Sequence, residues 1–227
     1  MKILHKNSLK QGGFAGLIEH RLVTDSRLFG NYKSNDTWNG LGNFVYLADA
    51  NFLPNGQTNM HPHREVDVIS VMIDGRIKHE GSLQDGQLID SHQIQVQRAG
   101  GEGFSHNEIN PDNKKNRMIQ LWVLPEIKNQ KAGYKLYAQK TGELIHVYGG
   151  SANQSITFDN HTNIKIGTIK KGEIIKFTGE FIAYFTKGEG ILNGIKVKNG
   201  DLVRDSSFNF QSTQDTQLIL IYEKQDY

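Results

Sequence analysis

The sequence predicts an all-β protein. Turn dipeptides recur along the chain at Asn39-Gly40, Asn55-Gly56, Asp74-Gly75, Asp85-Gly86, Asn193-Gly194 and Asn199-Gly200. Asn, Asp and Gly tolerate the positive φ that tight turns need. Short β-branched and aromatic runs lie between them, and no helical periodicity extends beyond a turn or two. Many short strands at such spacing describe a sandwich or barrel.

The clearest strands fall at residues 44–47, 66–73, 118–123, 181–185 and 218–222. The run 66–73 is almost continuously apolar, interrupted only by Asp67 and Ser70, and is expected to end in a hairpin at Asp74-Gly75. In 118–123, Ile119, Leu121 and Val123 share one face, and Met118, Gln120 and Trp122 share the other. Residues 125–140 are polar and rich in Lys and Gln, and read as a linker or crossover. The strand-and-turn rhythm resumes after it. The expected organisation is therefore an N-terminal domain, 1–130, and a C-terminal domain, 131–227.

Composition narrows the function classes. At 227 residues with 37% hydrophobic content, the chain has ample material for one large or two small cores. The formal net charge is +2, with Lys and Arg scattered, so nucleic-acid binding is not expected. There is no cysteine, which excludes disulfides and thiolate metal sites and fits a cytoplasmic setting. No apolar stretch is long enough to be expected to span a bilayer or act as a secretory leader. The Asn-x-Ser/Thr matches at Asn35, Asn153 and Asn160 are therefore read as chance.

Two short runs carry chemistry: Met60-His61-Pro62-His63-Arg64 and Phe104-Ser105-His106-Asn107-Glu108. Each sets two metal-ligating side chains two residues apart. On a strand, positions i and i+2 point to one face, roughly 6–7 Å apart; on a helix they do not. Two such strands facing each other across a barrel would bring His61, His63, His106 and Glu108 around one ion. Imidazole and carboxylate ligands suit Fe, Mn, Ni, Cu or Zn. His5, His20, His79, His92, His146 and His161 have no such partner and are read as ordinary polar residues. Gly100-Gly101-Glu102-Gly103 lacks the Lys-Ser/Thr of a phosphate loop and reads instead as a tight turn before His106. Glu65 and Asp67 alternate with His63, so either is a candidate acceptor for an imidazole N–H or a partner in an ion pair.

At these residues the chain resembles the pirin family, a branch of the cupins. His61-Pro62-His63-Arg64, Asp67 and Asp74-Gly75 are similar to its first motif. Gly101-x-Gly103-Phe104-x-His106-x-Glu108 is similar to its second, followed by the similar Gln120-Leu121-Trp122-Val123-Leu124-Pro125. The resemblance is specific in the first half and only rhythmic in the second. It departs at Asp67, where Glu is common, and at Arg98, Gly100 and Gly81-Ser82.

The resemblance implies a bicupin: two β-barrel (jelly-roll) domains, the N-terminal one holding a metal, most often iron, on His61, His63, His106 and Glu108. The C-terminal domain is expected to hold none. Some similar proteins are described as flavonol (quercetin) dioxygenases, which implies a flavonol-like aromatic substrate, dioxygen, and Glu108 as general base. Other pirins are regarded as iron-binding regulators of a transcription factor or metabolic enzyme, so a protein partner is the alternative reading.

Overall fold

The computed structural model describes residues 1–223. In chain order the strands of the first half are β1 (Lys2–His5), β2 (Gly12–Phe14), β3 (Leu17–Thr24), β4 (Phe44–Phe52), β5 (His61–His63) and β6 (Asp67–Asp74). They continue as β7 (Arg76–Gly81), β8 (Gln87–Asp90), β9 (Gln93–Arg98), β10 (Phe104–Ile109), β11 (Arg117–Val123) and β12 (Gly133–Ala138). The second half holds β13 (Glu143–Gly150), β14 (Asn160–Ile169), β15 (Ile174–Lys187), β16 (Glu189–Leu192), β17 (Ile195–Lys198), β18 (Asp201–Ser212) and β19 (Thr216–Glu223). The one α-helix among the described residues is the single turn Ser26–Phe29. The all-β expectation holds.

The chain divides into two compact units, Leu9–Ala138 and Met1–Ser8 with Gln139–Tyr227. This moves the expected boundary at 130/131. Residues 133–138 are not linker but β12, which pairs along its whole length with β9 and extends the first unit's sheet. At the other end, β1 leaves the first unit and pairs with β18, Lys2 opposite Arg204 and His5 opposite Asp201. Both shifts have one cause. Short strands of mixed polarity are recruited by whichever sheet offers them backbone partners, and composition does not report that.

In the first unit, a seven-stranded sheet (β12-β9-β6-β11-β4-β3-β2) faces a four-stranded sheet (β5-β10-β7-β8). The core between them takes Leu17, Phe52, Met72 and Met118 from the larger sheet and Ile77 and Ile89 from the smaller. Asp74-Gly75 is not the expected hairpin. β6 pairs with β9 and β11, whereas β7 pairs with β8 and β10. The chain turns at Gly75 from one sheet to the other, with Gly75 at φ 73°. The Asp-Gly dipeptide specifies the sharp turn but not which strand the next one pairs with. Asn193-Gly194 does make the tight hairpin: both residues have positive φ, and Leu192 lies opposite Ile195.

The second unit is a single eight-stranded sheet, with the path β13-β14-β19-β15-β18-β16-β17 and β1 added at β18. Its core is aromatic: Phe181, Phe185, Phe208 and Phe210 pack with Leu218 and Leu220. Phe181 meets Phe208 edge-on at 5.1 Å.

One buried ion pair clamps the centre of the first unit's larger sheet. Arg117 on β11 donates from both Nε (2.9 Å) and Nη2 (2.6 Å) to the two oxygens of Asp49 on β4. Asp49 is fully buried. Removing one member of a buried pair strands the other charge away from water. Asp49→Ala is therefore expected to lower the unfolding free energy by about 3–5 kcal/mol, measured by urea denaturation. A loss below about 1 kcal/mol would mean that water relieves Arg117 as it does at an exposed pair.

Candidate metal centre

β5 and β10 are antiparallel neighbours in the four-stranded sheet. Phe104 lies opposite His63, Ser105 opposite Pro62 and His106 opposite His61. The expectation that the two histidine strands face each other across the barrel is therefore corrected. They lie side by side, and the site forms on one face of one sheet. Alternation sends His61 and His63 to that face from β5, and His106 and Glu108 to it from β10. Pro62, between the histidines, fits because β5 is an edge strand, where a missing N–H costs no ladder bond.

Two glycines allow the close packing. Gly103 has φ 73°, and a Cβ there would lie 2.8 Å from the carbonyl oxygen of His63. Gly81 on β7 lies opposite His106, and a Cβ there would strike the carbonyl oxygen of Ser105 and approach His106 Cα to 2.9 Å. The Gly-rich run before His106 is thus steric, as its sequence suggests.

The three imidazoles converge. His63 Nε2 and His61 Nε2 each lie 3.1 Å from His106 Nε2, and one ligating atom of each ring falls within 4.8 Å of the others. Two imidazole nitrogens bound about 2.1 Å from one ion and roughly at right angles are about 3 Å apart, so the spacing fits a shared transition-metal ion. His61 Nδ1 donates to the carbonyl of Asn59 at 2.8 Å, which leaves its Nε2 lone pair bare toward the others. Burial and the neighbouring His61 push His63 down to about 4. Burial, followed by His63, His61 and His79, pushes His106 far below the ordinary imidazole range. Near neutral pH the His63 and His106 rings are uncharged, the form that binds a metal.

Glu108 stands on the same strand face and lines the same cavity, fully buried. It is not part of the closed set of three. Its Oε1 accepts from Ser70 Oγ at 2.7 Å and its Oε2 from Gln120 Nε2 at 3.1 Å. Ser70 and Gln120 are register partners on β6 and β11, so Glu108 bridges the two sheets. Burial raises its pKa to about 7, while the two hydrogen bonds pull it back. The carboxyl is therefore poised to exchange a proton near neutrality.

Glu65 and Asp67 serve the frame. Glu65 has φ 53°, which breaks the alternation expected from His63 to Asp67, and its Oε1 accepts from the backbone N–H of Asn129. Asp67 Oδ1 accepts from the backbone N–H of Ala99, and Oδ2 lies 3.5 Å from Arg98 Nε. His79, read from sequence as ordinary, is fully buried opposite Glu108, its ring 5.4 Å from that of His106. Its Nε2–H donates to the carbonyl of Leu83, which leaves Nδ1 as a buried acceptor with no protein partner. The signal was present in Ile77-x-His79-x-Gly81, a strand alternation that sets His79 on the inward face.

The cavity beside the triad measures about 410 Å³. One wall is aromatic. Trp122 meets His63 edge-on at 5.6 Å and stacks on Tyr46 at 4.3 Å. The indole N–H of Trp122 is buried with no protein acceptor. Volume, apolar walls and a few convergent polar groups match a small-molecule site.

Comparison with known proteins agrees with this geometry. The pirin family model matches residues 24–123, which contain all four expected ligands. A Zymomonas mobilis protein provisionally named a quercetin 2,3-dioxygenase is 23% identical over 186 residues, 76% of this chain and 79% of that protein. The bacterial pirin YhhW from Escherichia coli, solved in complex with nickel(II), superposes with a TM-score of 0.85 at 17% identity, covering 99% of each chain. A quercetin 2,3-dioxygenase structure from Acinetobacter baumannii gives 0.72 at 15% identity, covering 100% of this chain and 89% of that one. The chain resembles pirins, and its fold class is theirs: all-β, a bicupin with two β-barrel (jelly-roll) units in one chain.

The role given to Gly81 is testable by stability alone. Gly86, with φ 75° but nothing within 4 Å of an added Cβ, carries only the left-handed penalty, about 1–2 kcal/mol for alanine. Gly81→Ala adds a collision with backbone and is expected to be the more destabilising of the two. Urea melts of both variants check this, and the reverse order would show that β7 shifts freely away from β10.

Proposed function

We propose that the chain is a metal-dependent dioxygenase of pirin type acting on a flavonol such as quercetin. The observation that carries the reading is the convergence of three imidazole nitrogens, two of them on buried rings, beside a fully buried carboxyl group and a cavity of aromatic-ligand size. His61, His63 and His106 hold the ion in this reading, with Glu108 as the fourth ligand or the neighbouring base. Iron(II) is the favoured occupant; Zn, Ni, Mn and Cu suit the same donors. When bound, the metal supplies an open position that lowers the pKa of a chelating hydroxyl and the redox capacity needed to engage dioxygen.

The remaining work belongs to side chains. Glu108 takes the proton of the flavonol 3-hydroxyl, at its Oε1 or Oε2. Ser70 and Gln120 keep the carboxyl oriented across the sheet gap, each by donating to one oxygen. Trp122 and Tyr46 offer a flat face against which a planar ring stacks. The cavity, walled by apolar groups such as Leu17, Val66 and Met118, keeps bulk water from the activated ring. The net reaction inserts both oxygen atoms of dioxygen, opens the central ring and releases carbon monoxide.

One metal ion per chain is expected in protein purified without added metal, read by elemental analysis. A His61→Ala/His63→Ala double variant should lose it. Equal metal content in both proteins would remove the triad from the binding site.

Oxygen uptake with quercetin tests the activity and the role of Glu108 together. Glu108→Gln keeps an oxygen acceptor but cannot take a proton near neutral pH. At matched metal occupancy its kcat is expected to fall by about 10²–10⁴-fold, the usual contribution of a positioned general base. A variant as fast as wild type would take Glu108 out of that role. Wild-type uptake no faster than free metal would favour the regulatory alternative.

A further inference from the structure

The cavity beside the triad has further polar lining on β3. Leu17, Glu19 and Arg21 alternate onto one face of that strand, and all three line the cavity. Glu19 is only 3% exposed, although a carboxylate on an apolar wall is costly unless it is paired. Both of its oxygens are hydrogen-bonded. Oε1 accepts from Arg21 Nε at 2.7 Å, and Oε2 accepts from the Tyr46 hydroxyl at 3.2 Å. The ion pair is made through Nε, not through the two-nitrogen fork that arginine normally offers a carboxylate. The guanidinium also interacts with the Tyr46 hydroxyl, and its side chain, 48% exposed, keeps further N–H donors at the cavity wall.

We propose that Arg21 and Glu19 form an anchor for a phenolic hydroxyl at the end of the substrate remote from its metal-chelating oxygens. This rests on the aromatic-substrate reading above and names the feature of that substrate the site selects. A phenol is both donor and acceptor, so it can accept from an Arg21 terminal amine and donate to Glu19. A carboxylate can only accept, and Glu19 repels it. An unsubstituted ring adds nothing to the bonds that Arg21, Glu19 and Tyr46 already make with one another. The triad and the anchor are joined by the ring wall: His63 touches Trp122, Trp122 stacks on Tyr46, and Tyr46 donates to Glu19. In the proposed pose a planar ligand lies along that wall, its chelating oxygens toward the triad and a remote hydroxyl toward the anchor.

The test is binding, not turnover. Dissociation constants of the metal-loaded protein for 3-hydroxyflavone, 3,7-dihydroxyflavone and 3,4′-dihydroxyflavone are measured by calorimetry and by Trp fluorescence. At least one remote hydroxyl is expected to tighten binding about 10- to 100-fold over the parent, the range for one hydrogen bond to a charged group. Arg21→Gln should abolish that advantage while leaving 3-hydroxyflavone affinity within about twofold. Arg21→Lys keeps a positive charge beside Glu19 but loses the planar set of amines, and should lose most of the advantage with the fold intact. Equal affinity for all three flavones, no binding of any, or an advantage that survives in both variants would overturn the anchor. Oxygen uptake, recorded separately, reports on the dioxygenase reading. Selective binding without uptake sinks that reading and leaves the anchor standing; uptake without selectivity does the reverse.

Discussion

The site depends on the register of β5 against β10. His61 lies opposite His106, and the pair meets only because the two strands align at that residue. A slip of one residue would send His61 and His63 to the opposite face and leave His106 with Glu108 alone. Register here is not left to a short edge strand with three residues in its ladder. Gly103 and Gly81 let neighbouring backbone approach where any side chain would collide, so an alternative alignment would place a Cβ against a carbonyl. Backbone sterics, more than side-chain attraction, set the ligand geometry.

The second dependence is the cost of burying Glu108. A carboxyl with no exposed surface must be neutralised, hydrogen-bonded or paired with a cation. Ser70 and Gln120 meet part of that demand from the opposite sheet, and the pKa near 7 shows that they do not meet all of it. The same unmet demand that raises the pKa makes the group basic enough to be useful. Sheet packing and chemistry are thus joined in one residue: the side chain that ties β10 to β6 and β11 is also the one whose proton is easily moved.

The parts of this that period-two alternation controls were legible in the sequence. The strand at β11, its Met118-Gln120-Trp122 face and the shared faces of the two histidine runs come from strand geometry alone. Pairing was not legible. Whether Asp74-Gly75 closes a hairpin or carries the chain between sheets depends on which strands are already paired, information that lies far from the turn. The same non-locality hid β12 inside a polar stretch and moved Met1–Ser8 into the other unit. His79 was missed for a different reason. A lone histidine gives no ligand spacing, and only the β7–β10 register sets it opposite Glu108.

Charge balance connects the triad to the kind of ligand it suits. Burial holds the His63 and His106 rings neutral, and no imidazole brings negative charge to the centre. On the proposed assignment, a divalent ion there is offset by Glu108 alone, and the cavity wall adds only the internally paired Arg21 and Glu19. The centre therefore keeps net positive charge in a place that water screens poorly. Such a site favours a ligand that arrives as an anion or loses a proton on binding, and an acidic hydroxyl beside a carbonyl does so at little cost. A plain apolar ring would fill the walls and leave the charge unanswered. A simple carboxylate would answer the charge and leave the stacking surface of Trp122 and Tyr46 unused. Of these ligand types, only a planar chelator with an ionisable hydroxyl meets both demands of the proposed centre.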